Sequence, residues 1–111
     1  MILIDNRTKV IKISKGDYAP LQFNIQGYVL QQGDVIHFSV KKNVEDGTPL
    51  IYKEITNDGE SFFIVTITED DVADMDFDDY LYDVRLVYAD GTIYTPIYPT
   101  LFRVMEVVGN G

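Results

Sequence analysis

Along most of the chain, hydrophobic and polar residues alternate with a period of two, in runs bounded by Gly, Asp, Asn and Pro. That is the pattern of half-buried strands, and helical spacing is scarce. Lys9 to Ser14 predicts a first strand, closed by Lys15-Gly16-Asp17. Tyr18 to Ile25 predicts a second, with Leu21, Phe23 and Ile25 on one face; Pro20 removes a ladder donor and belongs at an edge or strand entry. Val35 to Lys42 predicts a third, with Ile36, Phe38 and Val40 inward and His37, Ser39 and Lys41 outward. Glu45-Asp46-Gly47-Thr48-Pro49 is turn chemistry leading into Leu50 to Ile55, whose Lys53 and Glu54 are expected outward. Phe62 to Thr68, apolar on both faces, is expected at the centre of a sheet. Tyr80 to Tyr88 is expected to be the longest strand, and Asp90-Gly91 suits a tight hairpin returning Thr92 to Thr95 beside it. Pro96 and Pro99 argue against a long central strand there, which leaves Leu101 to Val108 as the last.

Thr68 to Asp79 departs from this pattern. Thr68-Glu69-Asp70-Asp71 has capping-box spacing, with Asp in place of the usual Glu or Gln, so one short helical turn is expected to cross between sheets. Seven to eight short strands in 111 residues fit an all-β, immunoglobulin-like antiparallel β-sandwich. Residues 9–108 would form the single sandwich domain and residues 1–8 an amino-terminal arm. Tyr80 sits where such sandwiches place a corner tyrosine, its hydroxyl bonded to backbone upstream, and Tyr82 would be the core position two residues on.

Composition narrows the chemistry. With no cysteine and one histidine, the chain has neither a disulfide framework nor thiolate or multi-histidine metal sites. A net charge of −9 repels phosphate backbones and anionic lipid, so neither nucleic acid nor membrane is an expected partner. No apolar run approaches the roughly 20 residues of a membrane span. MILIDN at the start lacks the basic flank and cleavage site of a secretory signal, which points to synthesis in the cytoplasm.

Seven acidic residues lie between Glu69 and Asp79. Asp74, Asp76 and Asp78 have the spacing that opens a calcium loop, but Asp79 stands where the loop needs Gly and Arg85 where it needs a bidentate Glu. They are weak metal candidates beside the simpler reading of a solvated acidic corner. His37 and Ser39 share a strand face, with nothing in the pattern to supply a third triad member. Paired carboxylates would need a cleft, and no glycine-rich loop precedes a helix. No catalytic residue and no cofactor are therefore expected. Tyr52, Tyr94 and Tyr98 could form an exposed ring ladder for sugar or protein, although sugar platforms favour Trp, which the chain lacks. Acids gathered at one corner make a poor imitation of DNA.

Several stretches together resemble a known group. Lys15-Gly16-Asp17 before YAPLQFNI, then GDVIHFSVKK, the turn into PLIYK, Thr66-Ile67-Thr68, the corner into Tyr80-Leu81-Tyr82-Asp83-Val84, and Asp90-Gly91-Thr92 are similar to the amino-terminal domain of phage baseplate upper proteins and related prophage-encoded immunoglobulin-like tail proteins. The resemblance spans roughly residues 15 to 105 and implies a non-catalytic tail or baseplate assembly module, carried from the host cytoplasm into the virion. Its partners would be other tail or baseplate proteins and copies of itself. The chain stops after the last strand, without a fibrous continuation, so an assembly role is expected over an adhesin one. Free strand edges are natural docking sites. The expected interface comprises Ile2, Leu3 and Ile4, as an arm that adds to a neighbour's sheet, with Tyr94, Ile97 and Tyr98 on the proline-interrupted strand. The alternative is a carbohydrate- or host-surface-binding sandwich assisted by calcium.

Overall fold

The computed structural model describes residues 2–4, 9–15, 19–24, 31–43, 45–57 and 62–105. It is all-β, with eight strands and one short helix among these residues: β1 (Ile2–Ile4), β2 (Ile11–Ser14), β3 (Ala19–Asn24), β4 (Val35–Lys41), β5 (Ile51–Thr56), β6 (Phe62–Ile67), α1 (Glu69–Val72), β7 (Asp79–Val87) and β8 (Ile93–Met105). Six strands form one sheet in the order β1-β2-β8-β7-β4-β5, and β3 pairs with β6 in a second. All pairings are antiparallel except β2 with β8, which is parallel.

Alternation explains which face each strand buries. On β4, Ile36, Phe38 and Val40 are fully buried; on β7, Tyr82, Val84 and Leu86 are, with Tyr80 nearly so. Leu21 and Phe23 on β3 and Phe63, Val65 and Ile67 on β6 close the same core from the second sheet. Aromatic rings tie the layers: Phe23 lies 5.1 Å from Phe63 within its sheet and 6.3 Å from Phe38 across the core, and Phe38 lies 5.4 Å from Tyr82.

The crossover helix starts as its sequence implies. The Thr68 side chain accepts from the Asp71 amide at 3.4 Å, and the Asp71 carboxylate accepts from the Thr68 amide at 2.8 Å. These bonds satisfy amides that a helix start leaves without intrahelical partners. Tyr80 then donates its hydroxyl to the Asp76 carbonyl at 3.0 Å, four residues upstream. The Tyr82 hydroxyl donates to the carbonyl of Lys9, a non-glycine residue held at φ 63°. Burial pushes the Tyr82 phenol well above its usual range, so it stays a donor.

Four expectations need correction. The proline-bearing segment is not a short return followed by a separate strand: β8 runs 13 residues, exceeds the 9 of β7, and lies between β2 and β7. Its register explains how. Tyr82 pairs with Thr100, Val84 with Ile97 and Leu86 with Tyr94, so β8 carries one extra residue opposite Asp83 and another opposite Arg85. Pro99 falls in the first irregularity and Pro96 in the second, where the ladder is already interrupted. β2 pairs only with Phe102 to Met105, beyond both prolines.

β6 is not central, because it pairs with β3 alone in the two-stranded sheet. Lys53 is not outward: it shares the face of Ile51 and Ile55, and its ammonium reaches the Asp71 carboxylate at 2.9 Å. An inward lysine on an edge strand also discourages further strand addition. Lastly, Ile2–Ile4 form an edge strand antiparallel to β2 rather than standing apart from the sheet.

A polar knot pins one end of the core. Asp34, 2% exposed, accepts from the Gln31 amide at 2.8 Å and the Ala89 amide at 3.3 Å through its carboxylate, and its carbonyl accepts from the Asn57 amide at 2.7 Å. Asn57, also buried, donates its side-chain amide to the Gln31 carbonyl at 3.1 Å. Segments far apart in sequence thus exchange hydrogen bonds where no ladder could satisfy them.

Candidate interaction surfaces

The expected interface residues separate in space. Ile97 is 5% exposed and packs in the core opposite Val84, because the irregularity at Pro96 turns it inward. Tyr94 is 48% exposed and meets Tyr88 edge-on at 5.6 Å. Tyr98 lies on β8 and Ile2, Leu3 and Ile4 on β1; their side chains fall outside the described residues. Tyr52 and Tyr94 make no common ring ladder, since β4 and β7 lie between their strands.

Asp74, Asp76 and Asp78 are exposed and do not converge. Among the described residues no cluster of three or more His, Asp or Glu side chains is placed to hold a metal ion. Asp78 is instead bound to Lys42 at 2.5 Å, and Asp79 to Arg103 at 2.7 Å. The Lys42 hydrogen bond holds the Asp78 carboxyl below its usual range, with help from the Asp79 amide. Lys42 also lies 4.9 Å from the centre of the Tyr80 ring, and Lys15 lies 4.8 Å from that of exposed Phe77. The acidic corner is thus partly neutralised by the chain's own cations.

The outer face of the six-stranded sheet is the surface that sequence reasoning left unassembled. Register places its side chains in rows across β5, β4 and β7: Thr56, Val35 and Val87; Glu54, His37 and Arg85; Tyr52, Ser39 and Asp83. Ile93 on β8 extends the first row, and Leu81 with Leu101 lies beyond the third. The Tyr52 hydroxyl joins His37 Nδ1 and reaches Glu54 Oε2 at 3.4 Å. Desolvation, then the Glu54 carboxylate, pushes that phenol up. No hydrogen bond joins Ser39 to His37 among the described residues, and His37 Nδ1 meets the Tyr52 hydroxyl instead. A shallow depression lined by Ser39, Lys41, Leu81, Tyr82, Asp83 and Pro99 opens on the same face.

Asp83 is half-buried, and desolvation pushes its carboxyl above the usual range against the pull of Arg85 and Lys41. Among the described residues, Lys41, Asp83 and Arg85 form no ion pair, whereas Lys42, Lys53 and Arg103 each have an aspartate within 4.0 Å. The face therefore combines apolar rows with charges of both signs that make no close ion pair among the described residues. Alternation gave each residue's direction, but their grouping depends on long-range register. No protein-family model, curated protein or solved structure matches the chain.

Proposed function

We propose that the chain is a non-catalytic structural module of a phage or prophage tail, working by protein–protein contact on an immunoglobulin-like sandwich. The strand order supports the sandwich. The order β8-β7-β4-β5 matches that of the G, F, C and C′ strands of a variable-type sheet, and the β3–β6 pair matches B with E, which favours this reading. The helical turn before β7, the Tyr80 bond to Asp76 and the buried Tyr82 suit its E–F corner. Where antibody domains clamp a strand-C Trp against a B–F disulfide, this chain has Phe38 between Phe23 and Tyr82. Aromatic packing fills that role without cysteine.

The observation that carries the contact reading is the outer face of the large sheet, with Val87, Ile93, Leu81 and Leu101 turned away from the core beside charges of both signs. Solvated sheet faces are usually polar, and apolar side chains rimmed by polar ones mark interaction surfaces. The tail assignment rests on the sequence resemblance, and particles test it. Antibody against the chain should label tails released from a host that carries the gene, and the chain should sediment with them at fixed stoichiometry. Particles assembled without the chain would remove the assignment. A rise of several degrees in melting midpoint with millimolar calcium would favour the carbohydrate-binding alternative.

A further inference from the structure

The outer face is electrically neutral at its centre. Glu54 and Asp83 balance Lys41 and Arg85, so the chain's net charge of −9 resides entirely elsewhere. Two copies meeting across this centre therefore meet no net charge. Beyond neutrality, the charges are ordered across the strands, with Glu54 on β5 and Arg85 on β7 sharing one row through His37 on β4. Tyr52 on β5 and Asp83 on β7 share the next row through Ser39.

We propose that this face binds a second copy of the chain, sheet against sheet, about a two-fold axis running along β4. The proposal rests on the contact reading above and names its surface and partner. Rotation about β4 keeps each row in place and exchanges β5 with β7. Glu54 then lies over Arg85 of the second copy and Tyr52 over its Asp83, each contact made twice, as an isologous interface requires. The Tyr52 hydroxyl is engaged with His37 and Glu54 of its own chain, so Tyr52 covers Asp83 of the second copy with ring area and the reciprocal Glu54–Arg85 pairs supply the charged contact. His37, Ser39 and Lys41 lie on the axis, with the two Lys41 side chains meeting at one end of it, and Val87 and Leu81 bring apolar area beside it. Sheets packed this way run nearly aligned at about 10 Å, so rows near the axis stay opposite one another.

Three strands overlap about this axis, β5, β4 and β7 over β7, β4 and β5, and at about 4.8 Å apart and about seven residues long they span on the order of 330 Å² per copy. The pair buries about 700 Å², below the range of stable specific complexes, so the dimer is weak, reversible and concentration-dependent.

Sedimentation velocity on the full chain up to about 1 mM tests the proposal, with Glu54→Arg, Arg85→Glu and the double swap compared with wild type. Wild type should dimerise. Each single reversal sets like charges against each other twice and should weaken association at least about ten-fold, while the double swap restores it to within about three-fold. Equal melting midpoints establish that the variants fold; Arg85→Gln, which adds no repulsion, should weaken association less than Arg85→Glu. A wild type that is monomeric throughout, single variants that dimerise like wild type, or a double swap that fails to restore association would each overturn the proposal. Monomeric wild type that still sediments with tail particles would remove the self-contact and leave the tail reading standing.

Discussion

Phe38 and His37 are neighbours on β4 yet belong to opposite sides of the six-stranded sheet, and the two sides follow different rules. The inner side of β4 and β7 is Ile36, Phe38, Val40, Tyr80, Tyr82, Val84 and Leu86, all buried and all meeting other core side chains. The outer side, from Val35 and His37 to Asp83 and Arg85, mixes apolar, aromatic and charged groups of both signs. One strand pattern thus writes the fold on one side and leaves the other outside the core. If the proposed contact uses that outer side, stability and association separate by a single step along the chain.

The strongest way to break that comparison is Phe38→Ala. Deleting a ring in contact with both Phe23 and Tyr82 should cost about 3–5 kcal/mol in urea denaturation. His37→Ala should stay within about 0.5 kcal/mol. Comparable losses at both positions would mean that the outer side also holds the fold.

Asp34→Ala sharpens the account of the buried end. Removing the carboxylate leaves the Gln31 and Ala89 amides unpaired, and an expected loss of about 1.5–3 kcal/mol should appear in the same denaturation series. Asp34→Asn, which keeps an acceptor, should recover part of it.

The helix start gives the next effect. Thr68→Ala should cost about 1 kcal/mol as one side of the capping box is lost. Its partner carries a pH signature. Burial pushes the Asp71 carboxyl up, but the Thr68 amide, then Lys53, outweigh it and hold the carboxyl below its usual range. The folded state therefore favours ionised Asp71. That stabilisation is complete above the carboxyl's unfolded-state value and is lost as pH falls through the lower folded-state value. Asp83 has the opposite sign, since desolvation raises it, so acidification relieves a cost on the outer side. Urea midpoints followed from about pH 7 to about pH 3 should fall less steeply for Asp71→Asn than for wild type, and more steeply for Asp83→Asn.

The smallest expected change in stability is at Arg85. Arg85→Glu is exposed and unpaired within the chain, and its melting midpoint should match wild type within the spread of surface substitutions, about 0.5 kcal/mol. A large loss there would place Arg85 in the structural frame.

Local pattern was legible where a strand is regular. β4 and β7 fall close to their expected spans because strict alternation fixes both extent and face. Thr68 announced its cap, and Asp90-Gly91 its turn, with Gly91 at φ 91°. Pairing was not legible. Pro96 and Pro99 deny a regular ladder, but nothing local says that two irregularities would absorb them and let β8 run on. Nor does any window reveal that β2 runs parallel to β8, or that Asp34 accepts from an amide 55 positions later. The candidate surface was half-readable for the same reason. His37, Ser39 and Glu54 are outward by alternation, but their alignment with Tyr52, Asp83 and Arg85 exists only once β5, β4 and β7 are in register. Ile97 shows the converse error, a residue taken for surface because its strand was read as interrupted.

The most direct measurement exploits the absence of native cysteine. Ser39→Cys places a single thiol on the proposed axis, and Thr48→Cys places one on the exposed turn between β4 and β5. A short bismaleimide reagent, applied at concentrations where the chain self-associates, should link the first variant into covalent dimers and leave the second monomeric. Equal linkage at both positions, or none at residue 39, would contradict the assignment of the outer sheet face as the place where this chain meets its partner.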